Sequence, residues 1–508
     1  MEYIVPAWHN QLTDWAYNIP QIEFYDGITH MQILQDNGRK VGLVLTDYQP
    51  QMTTKLNKYT FFPDYVFSVY DYLQGIHNLQ SQILDFRDFN WPEDVIFDFT
   101  PFRIQVLSQN RLYAQITFDT QGKLLYIQYL GENGQQSKRL VMDSRGFISS
   151  VEEGNEVTYF DEAGHWRFVH NKQTDEVKIN PYFNYFAKLK YDHIKDLITE
   201  IFTKVFLKNV KDQDHLIVTV DDQSTIDYDL YQKYQPIFTV NKREPYEASL
   251  VQVKAGQLLV PSKCDQAQIE PQIAAGVQTT VMPFFPIRVK LGHSQRIKRQ
   301  VIAIFAENMS EQDLKQIVNT IYPYLLNNPK GWGLHFLSYS TDKDGMIGRV
   351  ISQFKTEHRG EFTTENEVKE QGEMDSETLE KRPVLYLKQD RLTSTAVTFK
   401  ILDKIRLLIN WGKSDDFIQT TAISIGIPQL QNFESATLID RGNGMLYHNM
   451  VELQIGLNWY LNSLKHWNQA LVYDVKLLNK YSEENLMKIW SKVLGLEGET
   501  DESSTTRK

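Results

Sequence analysis

Cysteine and long apolar runs are nearly absent from this 508-residue chain. The single cysteine, Cys264, has no partner for an internal disulfide, which fits a reducing compartment such as the cytosol. No run of about 18 apolar residues occurs, and the first residues lack the basic region and apolar core of a signal peptide. We therefore expect a cytoplasmic protein without a membrane span, peripheral at most to the inner face of the cell membrane.

An excess of positive charge is missing too. Lysine and arginine total 53 against 64 aspartates and glutamates, which gives a net charge of −11. A nucleic-acid-binding surface needs concentrated cations to neutralise phosphates, so the composition argues against nucleic acid as a partner. The hydrophobic fraction of 42% is ample for large cores, and the length predicts a chain of several domains.

The signatures of common enzyme chemistries are also lacking. The 12 histidines show no His-Glu-x-x-His pair and no Cys-His spacing suited to zinc. Neither a Gly-rich Walker loop nor a Gly-x-Ser-x-Gly elbow occurs. The acidic pairs Asp221-Asp222 and Asp415-Asp416 could serve acid–base chemistry, although helix caps and solvated turns explain them more simply. We expect no metal and no cofactor.

Hydrophobic periodicity organises the first half of the chain. Residues 1–100 and 179–286 alternate apolar runs with helical segments, which is typical of a Rossmann-like domain split in sequence. Its predicted elements are strands at 3–7, 41–46, 65–69, 95–99, 215–220 and 236–240, and helices at 28–37 and 182–208. Residues 101–178 instead alternate short β-rich runs with turns about every eight to twelve residues, which predicts an inserted antiparallel sheet.

Residues 287–470 are predicted to form a second Rossmann-like domain, followed by C-terminal helices at 471–496 and a disordered tail at 497–508. Its predicted elements are strands at 301–306, 332–338, 384–387 and 405–409, a helix at 311–326, and helical periodicity over 450–494. Residues 359–382 are predicted to be an exposed mobile loop or a solvated helix. The basic run at 288–299 is either a solvated hairpin or a surface for anionic lipid or an acidic partner.

The stretch 420–444 carries strong local signals. A helix predicted at 416–424 runs into Gly426-Ile-Pro428, where glycine permits a positive φ and proline prevents the helix from continuing. A strand is predicted at 437–440, and it ends in the turn Arg441-Gly-Asn-Gly444. Arg441, Asn443 and Gly444 are candidate ligand contacts, while Arg441 could equally cap a helix carbonyl.

This stretch resembles the donor half of GT-B glycosyltransferases, in which a carboxylate precedes a helix-Gly-x-Pro unit and an Asn-Gly turn follows. The resemblance implies an α/β fold with two Rossmann-like domains facing a cleft, here with an inserted antiparallel β-sheet domain. Retaining members carry a Glu-x7-Glu pair beside the helix, and the matching positions are Lys413 and Thr421. They also carry an arginine and a lysine after the first strand of the second domain, and the matching positions are Glu307 and Gln312.

These four replacements are unfavourable for binding a sugar diphosphate. Cations normally neutralise its phosphates, whereas the carboxylate of Glu307 would repel them. No arginine or lysine occurs between Val301 and Leu314 to compensate. The sequence therefore predicts a degenerate donor site and no catalytic residue.

Several short motifs occur in a specific order over most of residues 1–450. They are Tyr3-Ile-Val-Pro6-Ala-Trp8, Thr46-Asp-Tyr-Gln-Pro50, Tyr65-Val-Phe-Ser-Val-Tyr-Asp71, Asp85-Phe-Arg87-Asp88, Phe99-Thr-Pro101-Phe102, Met142-Asp-Ser-Arg-Gly-Phe147 and Ile439-Asp-Arg-Gly-Asn-Gly444. Together they resemble the GT-B-like, first member of the accessory secretory (Asp) proteins of the accessory Sec system in Gram-positive bacteria. The inserted sheet also resembles that of the glycosyltransferases which modify serine-rich repeat adhesins.

The resemblance implies a non-catalytic role in exporting glycosylated serine-rich repeat adhesins. Its implied partners are the sister accessory secretory proteins, the accessory Sec ATPase and the glycosylated adhesin. Two alternatives stay open from the residues alone. One is an active cytoplasmic glycosyltransferase that modifies these adhesins, and the other is a scaffold whose cleft binds nothing.

Overall fold

The structure is a computed structural model. It describes residues 1–9, 24–77, 82–101, 103–119, 122–183, 185–243, 245–288, 290, 294, 300–327, 332–359, 361, 363–364 and 384–496. Most of the predicted basic run at 288–299, most of the predicted loop or helix at 359–382, and the whole predicted tail at 497–508 lie outside these ranges.

The chain divides into two compact units, and strands and helices are numbered here along the whole chain. The first unit comprises Met1–Ile22, Leu34–Leu258 and Ile273–Gln278, and the second comprises Glu23–Ile33, Leu259–Gln272 and Thr279–Lys508. The domain boundaries inferred from the sequence stay predictions. None of the helices in the described ranges combines the length and apolar character that a bilayer crossing requires.

The first sheet has seven strands in the order β17-β16-β15-β14-β1-β2-β3. Its strands are β1 (Glu2–Val5), β2 (Val41–Leu45), β3 (Tyr65–Ser68), β14 (His215–Val220), β15 (Ile237–Val240), β16 (Gln257–Val260) and β17 (Gln278–Val281). The helices that lie between these strands in the sequence are α1 (Asp26–Asp36), α2 (Met52–Lys58), α3 (Val69–Gln74), α4 (Ile194–Ile201), α5 (Glu247–Leu250) and α6 (Lys263–Ile269). Strand β1 lies inside the sheet and pairs in parallel with β2 and β14, as a Rossmann-like domain requires.

Ten consecutive strands form an antiparallel sheet in the order β13 to β4. They are β4 (Ile96–Phe99), β5 (Ile104–Ser108), β6 (Arg111–Phe118), β7 (Leu124–Leu130), β8 (Gln136–Asp143), β9 (Phe147–Glu153), β10 (Glu156–Phe160), β11 (Trp166–Asn171), β12 (Val177–Ile179) and β13 (Lys190–Tyr191). One face buries an apolar cluster that includes Val106, Ile116 and Ile127. The structure therefore contains the antiparallel meander that the turn spacing indicates.

The strand expected at 95–99 is present but belongs to a different sheet from the one expected, and the helix expected over 182–208 begins late. The strand expected at 95–99 is the edge strand β4 of the antiparallel sheet, because a turn in which Thr100 bonds Arg103 folds β4 back onto β5. The helix expected over 182–208 begins only at Ile194. Lys190–Tyr191, before the helix, pairs with β12 as a short strand, and Leu189 is 53% exposed instead of lying on a buried helical face.

The third sheet, in the second unit, is parallel in every pairing and has the order β20-β21-β19-β18-β22-β23-β24. Its strands are β18 (Gln300–Phe305), β19 (Trp332–Ser338), β20 (Thr363–Thr364), β21 (Val384–Arg391), β22 (Leu407–Asn410), β23 (Gln429–Gln431) and β24 (Gly444–Leu446). The helices are α7 (Glu311–Leu326), α8 (Thr341–Glu357), α9 (Thr395–Leu402), α10 (Asp416–Ile425), α11 (Met450–Leu461), α12 (Leu464–Lys480) and α13 (Glu483–Val493).

The two faces of this sheet bury separate cores. One core joins Ile302 and Ile304 of β18 to α7, α8 and α11. The other joins Ala303 and Phe305 to α9 and α10. This alternation along β18 is the pattern of a parallel strand that helices cover on both faces.

Candidate functional site

Helix α10 is the buried centre of the region that the sequence singled out. Asp415 caps its start by accepting a hydrogen bond from Ile418 N at 2.9 Å, and every residue from Phe417 to Ile425 is buried. Gly426 ends the helix with φ +81°, a left-handed conformation that favours glycine. The predicted helix and its stop signal are therefore confirmed.

Glu307, the first residue of the degenerate donor site, is committed to the backbone of its own unit. It follows strand β18 and is half-buried. One carboxylate oxygen accepts hydrogen bonds from Tyr339 N at 2.7 Å and from Ser340 N at 3.2 Å. These amides lie at the start of helix α8, where the helix dipole also favours an anion. A diphosphate would have to displace or oppose this carboxylate.

Gln312 lies on an exposed first turn of α7 that is already acidic. Ser310 and Asp313 form a capping box there, and Glu311 pairs with Lys315 and Arg349, both at 2.9 Å. The nearest lysine after Leu314 is thus engaged with an acid of its own turn. The local charge does not provide the cations that a sugar diphosphate needs.

The other two donor positions differ in exposure. Lys413 is exposed in the loop after β22, and its main-chain oxygen accepts a hydrogen bond from Asn308 Nδ2 at 3.3 Å. Thr421 is 3% exposed, and its hydroxyl donates to Phe417 O at 2.7 Å within α10. Thr421 therefore stabilises its own helix and has no hydroxyl proton left for a ligand.

The structure brings only some of these positions together. The contact between Asn308 and Lys413 joins the loops that follow β18 and β22. Gln312 and Thr421, in contrast, lie on α7 and α10, which pack against opposite faces of the sheet.

A network of buried amide side chains lies at the carboxyl ends of β22 and β23. Asn410 Nδ2 donates to Gln429 Oε1 at 3.0 Å, and Gln419 Nε2 donates to Gln431 Oε1 at 2.7 Å. All four residues are at most 2% exposed. Ligands of open α/β sheets bind at this edge, and here side chains of the chain itself occupy part of it. The signal that could have revealed it was the alternation of glutamine with apolar residues in Gln429-Leu-Gln431, which the sequence analysis missed.

In the turn after the network, Asn443 and Gly444 are buried, whereas Arg441 is exposed. Asn443 is 0% exposed; its Oδ1 accepts from Ile439 N at 2.7 Å, and its Nδ2 donates to Thr437 O at 2.8 Å. At Gly444 an added Cβ would lie 2.2 Å from Gln429 O, so this position tolerates no side chain. Arg441 is exposed with φ +55°.

The predicted strand at 437–440 is wrong, because only Asp440 makes an isolated bridge, to Gly444. The side chain of Asn443 takes hydrogen-bonding groups from Thr437 and Ile439 that a strand would have used. The segment is consequently a loop held by one amide.

The first unit has a charged cluster that joins Asp221, one of the acidic residues noted in the sequence, to His9 and Asp47, which the sequence did not single out. His9 Nδ1 lies 2.5 Å from Asp47 Oδ2, and His9 Nε2 lies 2.8 Å from Asp221 Oδ1. The three residues follow β1, β2 and β14, whose carboxyl ends are adjacent in the sheet. Burial lowers the pKa of His9, but its hydrogen bonds to Asp221 and Asp47 outweigh burial and raise the pKa to about 10.

The charged side chains of this cluster are bonded to one another. Both ring nitrogens of His9 contact a carboxylate, so the imidazolium has no nitrogen left for acid–base chemistry in this arrangement. Tyr228 also contacts Asp221, whose main-chain N–H donates to the phenol oxygen at 2.8 Å. Within the described ranges, no group of three or more His, Cys, Asp or Glu side chains is arranged to hold a metal ion.

Comparisons with known proteins place the chain among accessory secretion factors and GT-B folds. It is 23% identical over 531 residues to the first of the Asp proteins of the accessory Sec system in Staphylococcus aureus (strain NCTC 8325 / PS 47), covering 99% of this chain and 100% of that protein. A crystal structure of accessory secretory protein 1, 2 and 3 in Streptococcus pneumoniae contains a chain with TM-score 0.75 and 22% identity, covering 98% and 99% of the two chains.

The fold is shared with an enzyme as well. The pneumococcal O-GlcNAc transferase GtfA, solved in complex with UDP and GlcNAc, matches with TM-score 0.69 and 10% identity over 98% of this chain and 99% of that one. At such identity the likeness establishes the fold alone, which is GT-B-like. The family model for the first of the accessory Sec system Asp proteins matches residues 4–496. The chain belongs to this family, that of accessory secretory protein 1 of the accessory Sec system.

Proposed function

We propose that this chain is a non-catalytic export factor that helps to deliver glycosylated serine-rich repeat adhesins to the accessory translocase. It acts in the cytoplasm, peripheral to the inner face of the membrane, through binding of partner proteins and of the glycan or glycosylated substrate. It needs no cofactor and no nucleic acid.

The observation that carries the non-catalytic part is the engagement of Glu307 with the backbone. Its carboxylate binds two amides at the start of α8, so negative charge occupies a position where a donor site needs an arginine. The hydroxyl of Thr421, where a retaining enzyme has a glutamate, is likewise bonded inside its own helix. Neither residue offers a group suited to a sugar diphosphate.

The partner part is supported by the relative that was crystallised as accessory secretory protein 1, 2 and 3. By analogy, this chain assembles with its sister accessory secretory proteins. The complex then cooperates with the accessory Sec ATPase and receives the glycosylated adhesin. The GT-B-like fold is retained for binding after the loss of transfer chemistry.

The second candidate is an active glycosyltransferase acting on the same adhesins. The likeness to the O-GlcNAc transferase favours it, because that enzyme binds UDP and GlcNAc on this fold. Such activity would require cations from outside the usual register, of which Arg441 is exposed and suitably charged.

One pair of measurements separates the two candidates. A glycosylated serine-rich repeat fragment and its unglycosylated form are each presented to the purified chain on a biosensor, and release of UDP from UDP-sugars is followed in parallel. We expect binding that depends on the glycan and no release of UDP above the rate without protein. Turnover that Arg441→Ala abolishes would establish the transferase instead.

One variant tests whether the charge of Glu307 affects glycan-dependent binding or release of UDP. Glu307→Gln keeps a hydrogen-bond acceptor but removes the charge, so it should leave both readouts unchanged if the donor site is degenerate. Lack of any difference between the glycosylated and unglycosylated fragments would refute glycan-dependent binding.

A further inference from the structure

One face of the sheet in the second unit carries polar side chains where a parallel sheet is normally apolar. The register pairs Gly333 with Tyr386 and His335 with Lys388, so these residues of β19 and β21 share a face, and Asp390 follows on it. Parallel strands covered by helices on both sides usually present continuous apolar runs. His335 is only 7% exposed, so it is not a side chain of a solvated edge.

A cavity of about 430 Å³ opens above this polar row, and we call it the β19–α9 pocket. Gly333 forms its floor, because it stands between Val301 on β18 and Tyr386 on β21 in the register. A Cβ at Gly333 would lie 3.0 Å from Val301 Cγ2, so a larger residue here would crowd Val301 at the floor of the pocket. Volumes of this size are typical of small-molecule sites.

Four cationic side chains line the pocket, and two of them are paired with carboxylates: Lys388 with Asp390, and Arg391 with Asp344 at 3.7 Å. His335 Nε2 bonds Asp390 Oδ2 at 2.8 Å, and Lys388 also pairs with Asp390, so this carboxylate is neutralised. Lys400 on α9 and Lys404 in the turn after it both line the pocket, and both are exposed. Neither has an ion-pair partner among the residues that the structure describes.

His335 completes the polar lining as a neutral group. Burial lowers the pKa of His335, and the nearby Asp390 opposes this only in part. The imidazole therefore contributes hydrogen-bonding capacity at neutral pH and adds no positive charge. The specificity for an anion comes from the two lysines.

The β19–α9 pocket lies apart from the donor positions. Helix α9 begins just past the carboxyl end of β21 and runs back along the sheet, so Lys404 lies over the amino-terminal half of the strands. Val301 and Gly333 are each the second residue of their strands. Glu307, in contrast, follows the carboxyl end of β18, which is the edge used by the donor in GT-B folds.

We propose that the β19–α9 pocket binds a phosphate monoester of a ring compound, either a sugar phosphate or a nucleoside monophosphate. Two available lysines match the charge of about −2 that a phosphate monoester carries at neutral pH. The hollow between Val301 and Tyr386 accommodates the ring, and His335 adds a neutral hydrogen-bonding group.

Isothermal titration of the full chain tests this proposal with four probes: UMP, N-acetylglucosamine 1-phosphate, inorganic phosphate and neutral N-acetylglucosamine. We expect one of the two esters to bind at least about tenfold more tightly than inorganic phosphate, and the neutral sugar not to bind. The ester that binds identifies the ring. If neither ester binds, or if inorganic phosphate binds equally well, the proposal is overturned.

Three variants assign the binding to this pocket. The double variant Lys400→Glu/Lys404→Glu should weaken the ester at least about tenfold, because two attractions become repulsions. Lys465→Glu, at an exposed lysine on α12, and Lys413→Glu, at a donor position, should leave affinity unchanged. Gly333→Val, with its melting temperature checked, should fill the hollow and abolish binding. An unchanged affinity in the double lysine variant would refute the assignment of binding to this pocket, even if Gly333→Val fails to fold.

Discussion

Asp474 is a carboxylate placed where ionisation is costly. It is 1% exposed on α12, and neither oxygen has a hydrogen bond of good geometry within the described ranges. Burial raises the pKa of Asp474 well above its usual range, and the nearby Asn443 side chain offsets burial only in part.

Asp474→Asn should therefore stabilise the protein, and the gain should depend on pH. Because the pKa is raised in the folded state, the carboxyl's favourable contribution is present at low pH and is lost as pH rises towards the folded pKa. At pH 8 we expect a gain of about 2 kcal/mol in the free energy of unfolding, because the amide avoids the ionisation that burial opposes, at about 1.4 kcal/mol for each unit by which the pKa is raised. Near pH 4 the gain should shrink, as thermal melting at both pH values would reveal.

A control substitution tests whether removing any negative charge from this unit would stabilise the protein equally. Glu434→Gln removes one negative charge at an exposed position of the same unit. It should leave the melting temperature unchanged at both pH values. A destabilised Asp474→Asn at pH 8 would mean that the carboxylate has partners that hold it ionised.

Strand β24 depends on a glycine at its first residue. Gly444 pairs with Gln429 of β23, and an added Cβ would lie 2.2 Å from Gln429 O and 2.3 Å from Leu438 Cδ1. We expect Gly444→Ala to cost about 2 kcal/mol, in the range of overpacking a tight interior. Chemical denaturation measures this loss directly.

Gly348 in helix α8 provides the contrast. A Cβ there meets nothing within 4 Å, so Gly348→Ala should stabilise its helix by up to about 1 kcal/mol. If Gly444→Ala were as well tolerated as Gly348→Ala, the pairing of β23 with β24 would have to be looser than the register indicates. In that case Gly444 would again become a candidate for ligand contact.

The second unit shows which features neighbouring residues in the sequence can predict and which they cannot. The helix α10 and its end at Gly426 could be predicted, because capping and positive φ are properties of neighbouring residues. The loop at 437–440 could not, because it is held by Asn443, whose side chain competes with strand pairing. The positions of Glu307 and Thr421 could be picked out by resemblance, but their bonds to the backbone appear only in three dimensions. His9 was missed for the same reason, since Asp47 and Asp221 are far from it in sequence.

Within the first unit, the ten-stranded sheet is attached to helix α3 through polar ties as well as through packing. Arg145, in the turn between β8 and β9, donates to both carboxylate oxygens of Asp71 at 2.8 and 3.0 Å and to Asp143 at 2.7 Å. Gln74 Nε2 donates to Ser149 O at 3.0 Å. Arg145 and Asp143 are largely removed from water, with side chains 7% and 1% exposed, whereas Asp71 is 35% exposed.

Arg145→Gln should loosen this attachment and leave a buried charge behind. Burial raises the pKa of Asp143 even with Arg145 present, so losing the guanidinium leaves an uncompensated carboxylate. Breaking one partner of such a buried pair typically costs about 3–5 kcal/mol. We expect faster amide hydrogen exchange in β9 (Phe147–Glu153) and a lower melting temperature. The deficit should be largest at neutral pH and should shrink as acid protonates Asp143.

The double variant Arg145→Gln/Asp143→Asn separates charge from shape. It removes the uncompensated carboxylate together with its partner, so it should recover part of the lost stability. Most of the added dependence of stability on pH should disappear. Arg87→Gln, at a surface pair with Asp85 whose side chains are 62% and 43% exposed, should cost no more than about 1 kcal/mol. Equal losses in Arg145→Gln and Arg87→Gln would show that packing alone holds the sheet on α3. A loss confined to Arg145→Gln, with protection in β9 restored by the double variant, would show that the uncompensated carboxylate of Asp143 causes the loosening.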